Sequence, residues 1–105
     1  MTAWLILIGA GIFEILWATG LRYTAGFTKP YPSLIVLALM AVSMYLLALA
    51  VKELPVGTAY AVWTGIGAAG TAILGVIFFG EPVSVLRVFF ILLILFGVGG
   101  LKIIS

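Results

Sequence analysis

Apolar residues run through this chain in four stretches of about twenty, the length a helix needs to cross a bilayer, each parted from the next by a short polar or Pro/Gly-rich break. The pattern predicts helices over residues 3–21, 33–51, 57–79 and 83–104. The first break carries Arg22, Gly26, Lys29 and the prolines Pro30 and Pro32; the second is Lys52-Glu53-Leu54-Pro55; the third is Gly80-Glu81-Pro82. None has room for a soluble unit, so residues 1–105 read as one all-α membrane domain of four transmembrane helices. The first stretch is not a signal peptide: it has no basic start, outruns an h-region and contains Glu14.

Composition fixes the solvent. Hydrophobic residues make up 66% and charged residues 8%, against roughly 45–50% and about 25% in soluble domains. So small a chain cannot hide that much apolar surface in its own core, and membrane lipid must cover the rest. A net charge of +2, scattered along the chain, gives no reason to expect a nucleic-acid partner. Without cysteine or histidine the chain lacks thiolate ligands and the commonest metal ligand and general base. No metal, cofactor or conventional enzyme chemistry is expected, since no nucleophile–base pair or phosphate loop is present either. Trp4, Tyr23 and Tyr31 fall near interfaces, where aromatic belts are ordinary, and Arg87 and Lys102 are placed to snorkel toward headgroups.

The charges give little orientation. With both termini on one side, Lys52, Lys102 and the amino-terminal amine face Arg22, Lys29 and Arg87: two basic side chains against three. Orientation follows the Lys/Arg difference between sides, and here it almost vanishes. The expectation is dual topology, with copies inserted both ways up pairing as an antiparallel homodimer. Such a pair builds from two identical chains the inverted repeat that larger transporters encode in one.

Glu14 lies about two-thirds along the first helix, too deep to snorkel easily. Placing an acid at a helix centre costs roughly 2.5–3.5 kcal/mol, whereas an interhelical hydrogen bond in the membrane returns about 0.6 kcal/mol. A structural clasp does not cover that cost; an ion or substrate site accounts for it. Gly11 and Trp17, three residues either side, and Ala10 and Ala18, four either side, share its helix face.

The other helices offer fewer polar groups. Ser43 could donate to a carboxylate, but a lone serine more simply bonds its own backbone one turn back. In helix three, Tyr60, Trp63 and Gly67 recur at i, i+3, i+7, and the two aromatic tips need polar partners at that depth. Gly67, Thr71 and Gly75 repeat a small residue every four positions, a pattern for tight helix packing in lipid, and Gly65 with Gly67 offers a place to bend. Helix four, with Phe89, Phe90, Phe96 and the run Gly97-Val98-Gly99-Gly100, reads as a packing or dimerising element.

A carboxylate walled by aromatic faces suits an organic cation, because charge pairing and cation–π attraction both strengthen as water is excluded. Burial favours the neutral form of a carboxylate, so proton and cation compete for one group and exchange follows. In a dimer the two carboxylates titrate as a coupled pair.

The runs Gly11-Ile-Phe-Glu-Ile-Leu-Trp-Ala18, Gly26-Phe-Thr28 and Leu54-Pro-Val-Gly-Thr-Ala-Tyr-Ala-Val-Trp-Thr-Gly-Ile-Gly-Ala68 resemble those of the small multidrug resistance transporters, and the likeness covers the whole chain. Trp17 one turn after Glu14, and Trp63-Thr-Gly-Ile-Gly-Ala68, resemble the guanidinium-exporting branch. The resemblance implies a proton-coupled antiporter of a bacterial cytoplasmic (inner) membrane, exporting guanidinium or another small organic cation from an antiparallel homodimer. It implies that Glu14 is the shared proton and substrate site, that Trp17, Ser43, Tyr60 and Trp63 line the pocket and hydrogen-bond to one another or to the carboxylate, and that helix four carries most of the dimer contact. Arg22, where lysine is common, and Met44, where phenylalanine also occurs, depart mildly from the family pattern. A planar guanidinium offers parallel donors that fit a carboxylate in a fork, and Trp17 beside Glu14 leaves a narrow chamber. A broader exporter of quaternary ammonium compounds and a non-transporting membrane scaffold are the alternatives.

Overall fold

The computed structural model describes residues 2–104; Met1, with the amino-terminal amine counted above, and Ser105 lie outside the described residues. The chain folds as α1 (Thr2–Gly20), a 3-10 turn (Leu21–Thr24), α2 (Pro30–Ala50), α3 (Val56–Phe79) and α4 (Val85–Ile104). All four long helices are apolar enough to cross a membrane, and the chain is a multi-pass membrane protein.

The helix limits differ from the sequence expectation where end chemistry decides them. α2 begins at Pro30 rather than at residue 33, because a proline in the first turn gives up an N–H that has no intrahelical partner anyway. α4 begins at Val85 rather than at residue 83: the Ser84 hydroxyl accepts the Arg87 N–H at 3.1 Å and caps the helix. α1 tightens into the 3-10 turn after Gly20, where the Thr24 hydroxyl donates to the Leu21 carbonyl at 2.7 Å. α3 runs as unbroken α-helix through Gly65 and Gly67.

α1 packs against both α2 and α3, while α4 packs along α3 and reaches back to α1 through Lys102, whose Nζ lies 5.0 Å from the centre of the Trp4 ring. The molecule measures 40 × 35 × 17 Å. The thin dimension is about half of either of the others, so the helices form a slab rather than a round bundle.

The core gathers Leu7 and Ala10 of α1, Leu47 and Ala50 of α2, and Ala59, Val62 and Trp63 of α3. These come from the first half of α1, the end of α2 and the start of α3, so one end of the slab is densely packed. Small residues let α1 and α3 approach closely: a Cβ on Gly11 would stand 2.7 Å from Ile66 Cγ2, and one on Gly70 would overlap Ile15. Gly65 makes the same allowance for Val98 of α4. No described residue of α4 is buried.

Candidate functional site

Glu14 reaches from α1 toward α3, and what receives it there is the absence of a side chain. A Cβ on the buried Gly67 would overlap the Glu14 carboxylate. Beside this seat an open groove of about 320 Å³ runs between α1 and α3, lined among others by Glu14, Ala18, Thr64, Thr71 and Glu81. The Oε1 atom of Glu14 is buried and has no hydrogen-bond partner among the described residues. A buried acceptor left unpaired is costly, and a bound group bringing N–H donors would relieve that cost. The site can therefore receive a donor-rich cation.

The remaining expected residues fall into a second cluster. The Ser43 hydroxyl donates to the Ala10 carbonyl of α1 at 2.8 Å and accepts from Trp63 Nε1 at 3.0 Å. The one-turn-back bond that the isolated serine suggested is not formed; a carbonyl of the neighbouring helix takes its place, and Ser43 is fully buried. Tyr60 leans on Trp63 with ring centres 5.5 Å apart and is itself 56% exposed. Ser43, Tyr60 and Trp63 thus come together in a chain of contacts that α1 joins at Ala10. Trp17 packs against the core, and its buried Nε1 has no partner among the described residues. No hydrogen bond joins Glu14 to either tryptophan or to Ser43 among the described residues. Of the three glycines singled out from the sequence, Gly67 seats the carboxylate, whereas Gly11 and Gly65 serve helix packing.

In the small-residue repeat Gly67, Thr71, Gly75, both glycines receive a glutamate side chain. Gly67 lies under the Glu14 carboxylate, and Gly75 lies under that of Glu81, whose Cδ would be 2.7 Å from an added Cβ. Arg87 pairs within the chain: its Nη2 donates to Glu81 Oε1 at 2.7 Å and to the Ala72 carbonyl at 3.4 Å. The loop positions Glu81 firmly. Gly80 ends α3 in the left-handed region at φ 62°, and the Glu81 N–H donates back to the Gly75 carbonyl at 3.3 Å. The Gly80 N–H reaches back to the same carbonyl, and a left-handed glycine is a common helix terminator.

Glu81 and Thr71 are the groove residues that sequence reasoning passed over. The signal was present: the Gly67–Thr71–Gly75 stripe points straight toward the Gly80-Glu81 turn.

The chain was compared with known proteins. The sequence profile described as "Small Multidrug Resistance protein" matches residues 2–94. A protein of Yersinia pseudotuberculosis serotype I (strain IP32953) named "Guanidinium exporter" is 56% identical over 103 residues, covering 98% of this chain and 99% of its own. One of the same name from Proteus vulgaris is 54% identical over 103 residues, with 98% and 99% covered. One from Escherichia coli (strain K12), also so named, is 54% identical over 100 residues, with 95% of each chain covered. These relatives are named as exporters rather than as enzymes.

Proposed function

The chain belongs to the small multidrug resistance family, and we propose that within it this protein exchanges guanidinium, or a small guanidinyl cation, for protons at Glu14. The observation that carries the reading is the seat of Glu14: a carboxylate in mid-membrane, received by Gly67, with an unpartnered oxygen beside an open groove. The name of the relatives supplies the cation, and its chemistry fits. Guanidinium is planar, stays charged at neutral pH, and presents paired N–H donors to a carboxylate.

Glu14 is the one carboxylate set deep in a helix, which makes the coupling simple. When the cation occupies Glu14 the proton must leave, and when the proton returns the cation is displaced. Trp17 packs against the core one turn from Glu14, while Ser43, Tyr60 and Trp63 brace α1, α2 and α3. Two copies inserted in opposite directions complete the transporter as an antiparallel homodimer in the bacterial cytoplasmic membrane. The near-balance of Arg22, Lys29 and Arg87 against Lys52 and Lys102 supports that pairing, as does α4, whose apolar surface is left uncovered by its own chain.

Guanidinium uptake into proteoliposomes, with and without a pH gradient, tests the reading. Wild type is expected to give saturable, gradient-driven uptake, and Glu14→Gln to lose it while still reconstituting. Gradient-driven uptake by Glu14→Gln would end the reading. Transport of a tetra-alkylammonium ion with none of guanidinium would replace the substrate.

A further inference from the structure

The groove that starts at Glu14 does not stop at the end of its first pocket. A second open space of about 410 Å³ adjoins it and shares Ala18, Thr71 and Glu81 with it. One face of α3 therefore carries a sequence of polar groups: Glu14 over Gly67, the Thr71 hydroxyl one turn on, and Glu81 over Gly75. Gly67 and Gly75 are two turns apart, so the two carboxylates are seated roughly 12 Å from each other. The hydroxyls of Thr71 and of Thr19, which lines the outer space, are both buried and unpartnered among the described residues.

Glu81 already holds a guanidinium group, that of Arg87. It does so incompletely. One nitrogen, Nη2, meets one oxygen, Oε1, at 2.7 Å and is shared with the Ala72 carbonyl, while Arg87 Nε is buried without a partner among the described residues. The side chains of the pair are 30% and 39% exposed, and ion pairs that open to solvent are weak. A free guanidinium is not tethered and can offer two parallel donors at once. It can therefore make a second hydrogen bond at Glu81 that Arg87 does not, which offsets part of the tether's advantage in effective concentration. Arg22 also lines the outer space, but its guanidinium is parked over the Phe79 ring, 5.1 Å from the centre.

We propose that Glu81 is an outer docking site for the transported guanidinium cation, occupied by the Arg87 side chain until the cation displaces it, and that Thr71 leads from there to Glu14. The inference rests on the guanidinium reading above. Docking at Glu81 raises the local cation concentration at one end of the groove, and the tethered Arg87 clears the site once the cation has moved inward.

Glu81→Gln keeps the size of the side chain and removes its charge. The half-saturating guanidinium concentration is expected to rise roughly threefold to fivefold, the affinity equivalent of a part-exposed ion pair, with maximal uptake within about twofold of wild type. A purely structural clasp between α3 and α4 predicts the reverse: lower maximal uptake or lost protein, with half-saturation unmoved. Because the chain has no cysteine, Glu81→Cys carries a single thiol. Purified Glu81→Cys protein, treated in detergent with an anionic sulfonatoethyl or a cationic trimethylammonioethyl methanethiosulfonate reagent and then reconstituted, varies the charge on one folded chain. The anionic adduct is expected to half-saturate at a concentration at least about threefold below that of the cationic adduct. Equal values for the two adducts overturn the proposal, and so does failure of both variants to fold. Absence of guanidinium uptake in wild type would instead remove the reading beneath it, and would be seen before any variant is made.

Discussion

Along α1 and α3 the protein has two ends built from the same helices in opposite ways. At one, Ala10, Ser43 and Trp63 complete each other's hydrogen bonds inside the packed core. At the other, Glu14, Thr19 and Thr71 keep buried polar atoms without partners, beside a groove that runs on to Glu81. A satisfied polar network in a low-dielectric interior rigidifies what it joins, whereas unsatisfied groups are costly unless something else meets them. The first end holds three helices in register. The second has polar capacity in reserve, and the ligand is what uses it. Buried polar atoms thus divide into scaffold and working groups by whether the fold already answers them.

The largest effect that would separate the two ends comes from Gly67→Ala. The added Cβ overlaps the far end of the Glu14 side chain, which is flexible and can swing aside without moving a helix. Thermal stability in detergent should therefore stay close to wild type. Transport should fall by roughly a hundredfold, since a carboxylate displaced by about an ångström loses its productive geometry. Normal transport by Gly67→Ala would show that Glu14 works from another position, and the division between ends would lose its basis.

At the packed end the expected response inverts. Ser43→Ala removes the acceptor for Trp63 Nε1, stranding that buried donor, and takes a second hydrogen bond from the Ala10 carbonyl. That should cost about 1–3 kcal/mol of stability, read as a lower thermal midpoint in detergent. Half-saturation for guanidinium in the protein that remains folded should move less than about threefold, because the hydrogen bonds of Ser43 go to Ala10 and Trp63 rather than to the Glu14 carboxylate. A large loss of affinity with unchanged stability would move Ser43 to the working side.

How much of this could be read from the sequence depended on whether a residue's partner was a side chain in a pattern or a backbone atom elsewhere. Glu14 was legible because an acid in mid-helix is expensive and demands an account. The four helices were legible from apolar length alone, and only their ends shifted, where Pro30 and Ser84 act through first-turn chemistry that hydropathy does not register. Ser43 was illegible on its own, since its acceptor is the carbonyl of Ala10, 33 residues away. Glu81 was hidden for a different reason. Gly80-Glu81-Pro82 has the composition of any polar break, and Arg87 has that of any snorkelling cation; their pairing depends on the Gly80 turn folding Glu81 back over Gly75. The glycine stripe was legible as a face of small residues, but spacing does not say what lies against it: at Gly67 and Gly75 it is a glutamate side chain.

The smallest and sharpest test is Thr71→Val, which exchanges a hydroxyl for a methyl group of nearly the same shape. The Thr71 hydroxyl is buried and unpartnered, so by packing alone its removal should be neutral or stabilising, by up to about 1 kcal/mol. If Thr71 also guides the cation between Glu81 and Glu14, maximal transport should drop by about threefold at the same time, as loss of one neutral hydrogen bond along the path predicts. Opposite signs for stability and rate are the diagnostic. A scaffold residue changed to a worse one loses both together, as Ser43→Ala should. A Thr71→Val protein that is more stable and equally fast would leave the groove between the two carboxylates without a function for its middle, and the cation would have to reach Glu14 from another side.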